Sequence, residues 1–183
     1  MARMQHPLER TVEMIEHEGV VFEVVERPDV VWVGTLAYAD NLTDEADPDA
    51  LLERYQMLIP LAPKEALVCP DWSAAISLNY TCNGTLPRGT MFAQETYDAN
   101  TQDMRHDLYT LLGGLYMRVY VDGSAAKLIG KESCAACELF DVMRQRILPT
   151  HGYMRDDEAR TAEVEYRCHA DNMWYAYIPI KKI

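Results

Sequence analysis

The sequence predicts an α+β fold made of two pseudo-symmetric β-α-β-β units, and three observations support this. Strand-like runs outnumber helical ones, the order β-α-β-β occurs twice, and the two predicted helices end in alignable segments, LLERYQMLIP (51–60) and FDVMRQRILP (140–149). Antiparallel sheets packed edge to edge, with both helices on one face, leave a central groove between the halves on the opposite face.

Charges spread among Met4, Leu8, Val12, Met14 and Ile15 predict a short helix over 4–18, so residues 1–19 read as a helical extension. The single domain then runs over 20–183, with half one at about 20–97 and half two at about 107–182. Val20 to Val25 is a β-branched strand, Arg27-Pro-Asp a turn, and Val30 to Ala39 a buried strand. An acidic loop follows, with Asp47-Pro48 set to cap a helix that Pro60 and Pro63 stop. Residues 73–81 and Thr90 to Tyr97 pair as a hairpin across the turn residues between them. In half two, Leu108 to Val121 reads as one long strand bulged at Gly113-Gly114, and Asp122-Gly123 as a turn. Ser133 to Leu148 is an amphipathic helix carrying Leu139, Phe140, Met143 and Ile147 on one face. Strands over Thr161 to His169 and Met173 to Ile180 close the chain around the turn at Asp171-Asn172.

Composition narrows the partners. A hydrophobic fraction of 49% over 183 residues suits one substantial core. The net charge of -12 opposes binding to phosphate backbones and anionic membranes, so no direct nucleic-acid or membrane contact is expected. One N-terminal helix is too little for a helix-turn-helix, so no DNA-reading domain is expected within this chain. There is no signal-peptide h-region and no span of ~20 apolar residues. Five cysteines, an odd number, argue for reduced thiols and a cytoplasmic location. The sequons at Asn41, Asn79 and Asn83 matter only in a secreted protein.

Cys134-Ala-Ala-Cys137 has no second pair at zinc spacing and reads as two small buried thiols. The five histidines are scattered, and neither a P-loop nor a G-x-S-x-G is present, so no metal and no cofactor is expected.

The segments FEVVERPDVVWVGT, DWSAAISLNY, PRGTMFAQE and EVEYR, with the ending WYAYIPIKK, resemble the GyrI-like small-molecule-binding family over roughly residues 20–182. That family includes effector-binding domains of multidrug-responsive MerR-type and AraC-type transcription regulators. The resemblance implies a pocket for amphipathic, often cationic aromatic molecules, with aromatic walls and a glutamate from the penultimate strand. Here that glutamate falls on Glu165, followed by Tyr166, with Glu163 competing because it shares the strand face. The family pattern places Tyr two residues after Glu, where this chain has Arg167, a departure that shifts the pocket toward less cationic ligands. On spacing alone, Glu163, Glu165 and Arg167 also read as a solvated charged row. The candidate walls are Trp72 and Trp174, then Tyr116, Phe92 and Tyr38, against the plainer reading of strand packing.

Three functions follow. The first is a stand-alone small-molecule-binding protein that senses or sequesters its ligand. The second is a hydrolase of strained-ring or electrophilic natural products, with Glu165 as general base assisted by Tyr166. The third is a protein-interaction module of gyrase-inhibitor type.

Overall fold

The computed structural model describes residues 6–39, 66–78, 88–97, 107–134, 136–157, 163–168 and 173–183. The predicted helix at 47–58, the hairpin turn at 82–87 and the three sequon asparagines lie outside them. Among the described residues ten strands form one sheet: β1 (Arg10–His17), β2 (Val20–Arg27), β3 (Val30–Ala39), β4 (Trp72–Leu78), β5 (Arg88–Thr96), β6 (Asp107–Leu111), β7 (Gly114–Tyr120), β8 (Tyr153–Arg155), β9 (Glu163–Cys168) and β10 (Met173–Lys182). The order is β1-β2-β7-β10-β9-β4-β5-β3-β6, and β8 pairs with β10. All the pairings between strands are antiparallel. The α+β class holds.

The central contact is β9 against β4, and the order reads alike on both sides of it. Each half places its first strand beside the second strand of the other half. β2 runs straight into β3 yet pairs with β7, while β6 runs into β7 yet pairs with β3. The expected bulge at Gly113-Gly114 is therefore a crossover. The chain leaves one side of the sheet at Leu111 and enters the other at Gly114. The two crossovers touch, since Gly113 N donates to Asp29 Oδ1 at 2.7 Å. A Cβ on Gly113 would lie 2.5 to 2.7 Å from backbone atoms of Arg27, Pro28 and Asp29, so only glycine fits there.

Residues 10–17 are a strand, not the helix expected from their charge pattern. Their partner is β2, joined through Glu18 (φ 51) and Gly19 (φ 79) in the double left-handed geometry of a type I′ hairpin. As an edge strand, β1 leaves Val12 and Met14 exposed beside charged residues, which imitates a helical pattern.

Helices cover one face of half two. Asp122, expected in a turn, caps α1 (Gly123–Leu128), its Oδ1 accepting from Ser124 N at 2.7 Å and Ala125 N at 2.9 Å. The predicted helix at 133–148 is α2 (Ala136–Val142), which runs through a π-helical turn at Met143–Ile147 into α3 (Leu148–Thr150). Leu139, Phe140, Met143 and Ile147 pack on Phe22, Val24, Met117, Val119, Ala176 and Ile178. Strand alternation turns the other residues of the same strands, among them Tyr116, Tyr175 and Tyr177, to the opposite face.

That opposite face is concave. β2 and β5 stand five strands apart in the order, roughly 24 Å in a flat sheet at about 4.8 Å per strand. Yet Arg27 of β2 bonds to Glu95 of β5. The open sheet therefore curls until β2 and β5 meet across a shared interior. The groove expected on this face is, among the described residues, filled by buried side chains.

Candidate functional site

Aromatic residues line the interior. Trp32, Tyr166 and Tyr177 are buried, with Trp72, Tyr116 and Tyr175 beside them. Tyr166 is the hub, its ring centroid 4.7 Å from that of Tyr177, 5.4 Å from Trp32 and 5.7 Å from Trp72. Trp72 stacks on Tyr175 at 5.5 Å and 11°. These rings supply wide, rigid, apolar walls.

Charged groups lie among the rings. Glu95, on β5, is 4% exposed, and its carboxylate accepts from Arg27, from the Tyr166 hydroxyl and from His6 Nε2 at 2.5 Å. Arg27 Nη1 also donates to the Tyr166 oxygen at 2.6 Å. Farther along the trough, Arg118 Nη1 donates to Glu9 Oε2 at 2.6 Å and to the Tyr177 oxygen at 3.0 Å, and Arg118 also holds Glu23. Arg27 spans the two clusters, with Nη1 3.7 Å from Glu9 Oε1. Burial this deep demands pairing, because an isolated ion in a low-dielectric setting is strongly disfavoured.

The electrostatics follow from that packing. Burial alone would push the Glu95 carboxyl up, but the Arg27 charge and the His6 and Tyr166 hydrogen bonds outweigh it and hold the group at about 2. Burial works against charge on Arg27 as well. Tyr166, Glu95 and Glu9 overcome it and keep the guanidinium protonated. Burial raises Tyr166 and Tyr177 well above the ordinary phenol range, so both hydroxyls keep their protons.

Four buried polar atoms here have no hydrogen-bond partner among the described residues: Trp32 Nε1, Trp72 Nε1, Arg27 Nε and Glu9 Oε1. Buried polar groups are normally satisfied, which makes this cluster of orphans the candidate site.

The expected site residues divide between the two faces. Trp72 and Tyr116 line the interior. Glu163, Glu165 and Arg167 face the helix-bearing side, where Glu163 pairs with Arg144 of the π turn and with Arg155. Trp174, the cross-strand partner of Arg167, lies on that side too, with the guanidinium 5.0 Å from its ring centroid. Phe92 shares this face, opposite Ala75. Tyr38 lies on β3, its side chain outside the described set.

Glu165 is half-buried between two alanines, Ala75 and Ala176, its cross-strand partners. Among the described residues it makes no hydrogen bond or ion pair, and burial pushes its carboxyl up. Tyr166 is turned to the opposite face, so the pairing of Glu165 with a Tyr166 hydroxyl for water activation is not formed. The interior carboxylate is instead Glu95. The sequence signal for it was a lone charge in the strand TMFAQETY, and for Arg27 the charge closing the strand before Pro28.

Among the described residues no group of three metal-ligating side chains occurs, and no helix is long and apolar enough to cross a membrane. Burial raises the Cys69 thiol to about 12. The Cys137 side chain lies outside the described set.

No family model and no curated protein matches the chain. Solved structures do. A putative bacterial transcription regulation protein from Staphylococcus aureus MU50 is 12% identical with a TM-score of 0.58, covering 87% of this chain and 97% of that one. SAV2435, solved bound to tetraphenylphosphonium, is 13% identical with a TM-score of 0.58, covering 87% and 93%. The EcmrR C-terminal domain is 10% identical with a TM-score of 0.56, covering 88% and 98%. At these identities the likeness is one of fold, and it is consistent with the GyrI-like fold that the sequence resembles.

Proposed function

We propose that this chain binds a small amphipathic aromatic molecule in its concave interior. The observation that carries the proposal is the ring of Trp32, Trp72, Tyr116, Tyr166, Tyr175 and Tyr177 closing around the buried Glu95–Arg27 pair, with both indole N–H groups unpartnered among the described residues. A scaffold core has no use for two arginines and three carboxylates at such desolvation cost, whereas a binding site does. The tetraphenylphosphonium complex of a protein with the same fold supports an aromatic ligand. In this role the protein senses or sequesters its ligand. The walls are Trp72 and its neighbours, and Glu95 with Arg27 orients the polar end.

The second reading places an organic cation on the helix-bearing face. One observation favours it: Glu165 is half-buried and unpaired among the described residues, with Trp174 and Phe92 on the same face. A cation there would gain a carboxylate that has lost water.

Tryptophan replacement separates the two. Tetraphenylphosphonium and 2-naphthoate are each titrated while tryptophan fluorescence is followed, in wild type and in Trp32→Phe, Trp72→Phe and Trp174→Phe. The interior site predicts a response that survives Trp174→Phe and shrinks in Trp32→Phe and Trp72→Phe. A response lost only in Trp174→Phe would favour the Glu165 face. No response to either compound would sink both.

A further inference from the structure

We infer that the ligand of the interior carries a carboxylate, and that Glu9 occupies the carboxylate's place when the ligand is absent. The inference rests on the interior reading and adds the chemical class.

Glu9 does not belong to the sheet. It lies on the segment His6–Glu9 that precedes β1 and roofs the trough. The sheet's own ions are balanced without it, because Arg27 is paired with Glu95 and Arg118 with Glu23. Glu9 is thus a third carboxylate, delivered from outside onto two arginines already paired. Its Oε2 accepts from Arg118 Nη1 at 2.6 Å and from the Tyr177 hydroxyl at 3.1 Å. Among the described residues its Oε1 accepts no hydrogen bond, the nearest cation being Arg27 Nη1 at 3.7 Å. The fit is half of what an arginine-rich cradle offers a carboxylate.

Donor counting gives the class. Once Glu9 withdraws, Arg118 Nη1 keeps only the Tyr177 oxygen and the Tyr177 hydroxyl loses its acceptor, while Arg27 Nε and the two indole N–H groups already have none among the described residues. The acceptor freed by His6 is a single oxygen, Glu95 Oε2. Donors outnumber acceptors, and the fixed charges near Tyr177 are guanidinium. An aromatic ring in the place of the His6 ring, against Trp72 and Tyr166, with a carboxylate toward Arg118 satisfies both, whereas an ammonium of the same shape would face Arg118 and Arg27.

The test is isothermal titration of the full chain with 2-naphthoate and with 2-naphthylmethylammonium, which share one ring system and differ in charge. Wild type is compared with Glu9→Gln and Arg118→Gln. A site whose occupant must first leave binds with affinity reduced by its closed fraction. We therefore expect naphthoate to bind wild type more tightly than the ammonium does, and to tighten about tenfold or more in Glu9→Gln. Arg118→Gln should abolish the preference. Circular dichroism checks that each variant is folded, and the wild-type charge comparison stands without them. If the ammonium binds better, or Glu9→Gln leaves naphthoate affinity unchanged, the carboxylate class and the stand-in role are wrong while the interior site survives. If neither compound binds any form, the interior reading itself fails.

Discussion

Replacing Glu95 by glutamine removes one charge at nearly constant volume and leaves Arg27 buried with Glu9 as its remaining carboxylate, 3.7 Å away and already held by Arg118. Two routes give the cost. The carboxyl falls from 4.5 to about 2 in the fold, which corresponds to about 3 kcal/mol of stability at neutral pH. Removing one partner of a buried ion pair costs about 3–5 kcal/mol. Taking about 3 kcal/mol, Tm should drop by roughly 6–12 °C in a chain of 183 residues. The pH dependence has a definite sign. A depressed carboxyl stabilises the fold above its unfolded value and loses that contribution as pH falls, here between 4.5 and about 2. Urea unfolding followed by circular dichroism, at pH 7 and then stepwise from 5 to 2, should show wild type and Glu95→Gln converging as acid is added. A difference under about 1 kcal/mol at pH 7, or one that is constant down to pH 2, would refute the buried pair.

Other perturbations probe other parts of the molecule. Glu165→Gln should raise stability at neutral pH, because the burial-raised carboxyl favours its protonated form. The difference should shrink as pH falls toward 4.5 and be gone below it, and a variant less stable than wild type in thermal melts at pH 7 would show that Glu165 has a partner. Gly113→Ala drives a methyl into the backbone of the facing crossover and should cost about 3 kcal/mol or prevent folding, measured by urea titration. Leu139→Ala opens a cavity under α2 and should cost about 2–5 kcal/mol in the same assay while leaving ligand affinity unchanged.

Much of the sheet was legible because strand patterns are local. The strand Val30 to Ala39 is observed over the expected residues, and the closing strand runs two residues farther, to Lys182. Non-local choices were not legible. Gly113-Gly114 looks the same in sequence whether it bulges one strand or ends it, and only the pairing of β6 with β3 and β7 with β2 decides. Likewise, alternation placed Glu163, Glu165 and Arg167 on one face of β9, but which face is interior depends on partners. Glu165 meets Ala75 and Ala176, whereas Tyr166 meets Ala74 and Tyr175. Of the expected wall residues, Trp72 and Tyr116 reached the interior, and Trp174 and Phe92 did not. Glu95, Arg27, Arg118 and Glu9 were missed because four isolated charges, far apart in sequence, form a cluster only when the sheet curls. At the N-terminus, Glu18-Gly19 was the hairpin signal that the charge pattern of 10–17 obscured.

The most direct measurement is a crystal structure of the chain grown with 2-naphthoate. The interior site predicts the naphthalene ring beside Trp72 and Tyr166, its carboxylate on Arg118 and Tyr177, and Glu9 withdrawn. Density over Glu165 on the helix-bearing face, with His6 and Glu9 still seated in an unchanged interior, would contradict it.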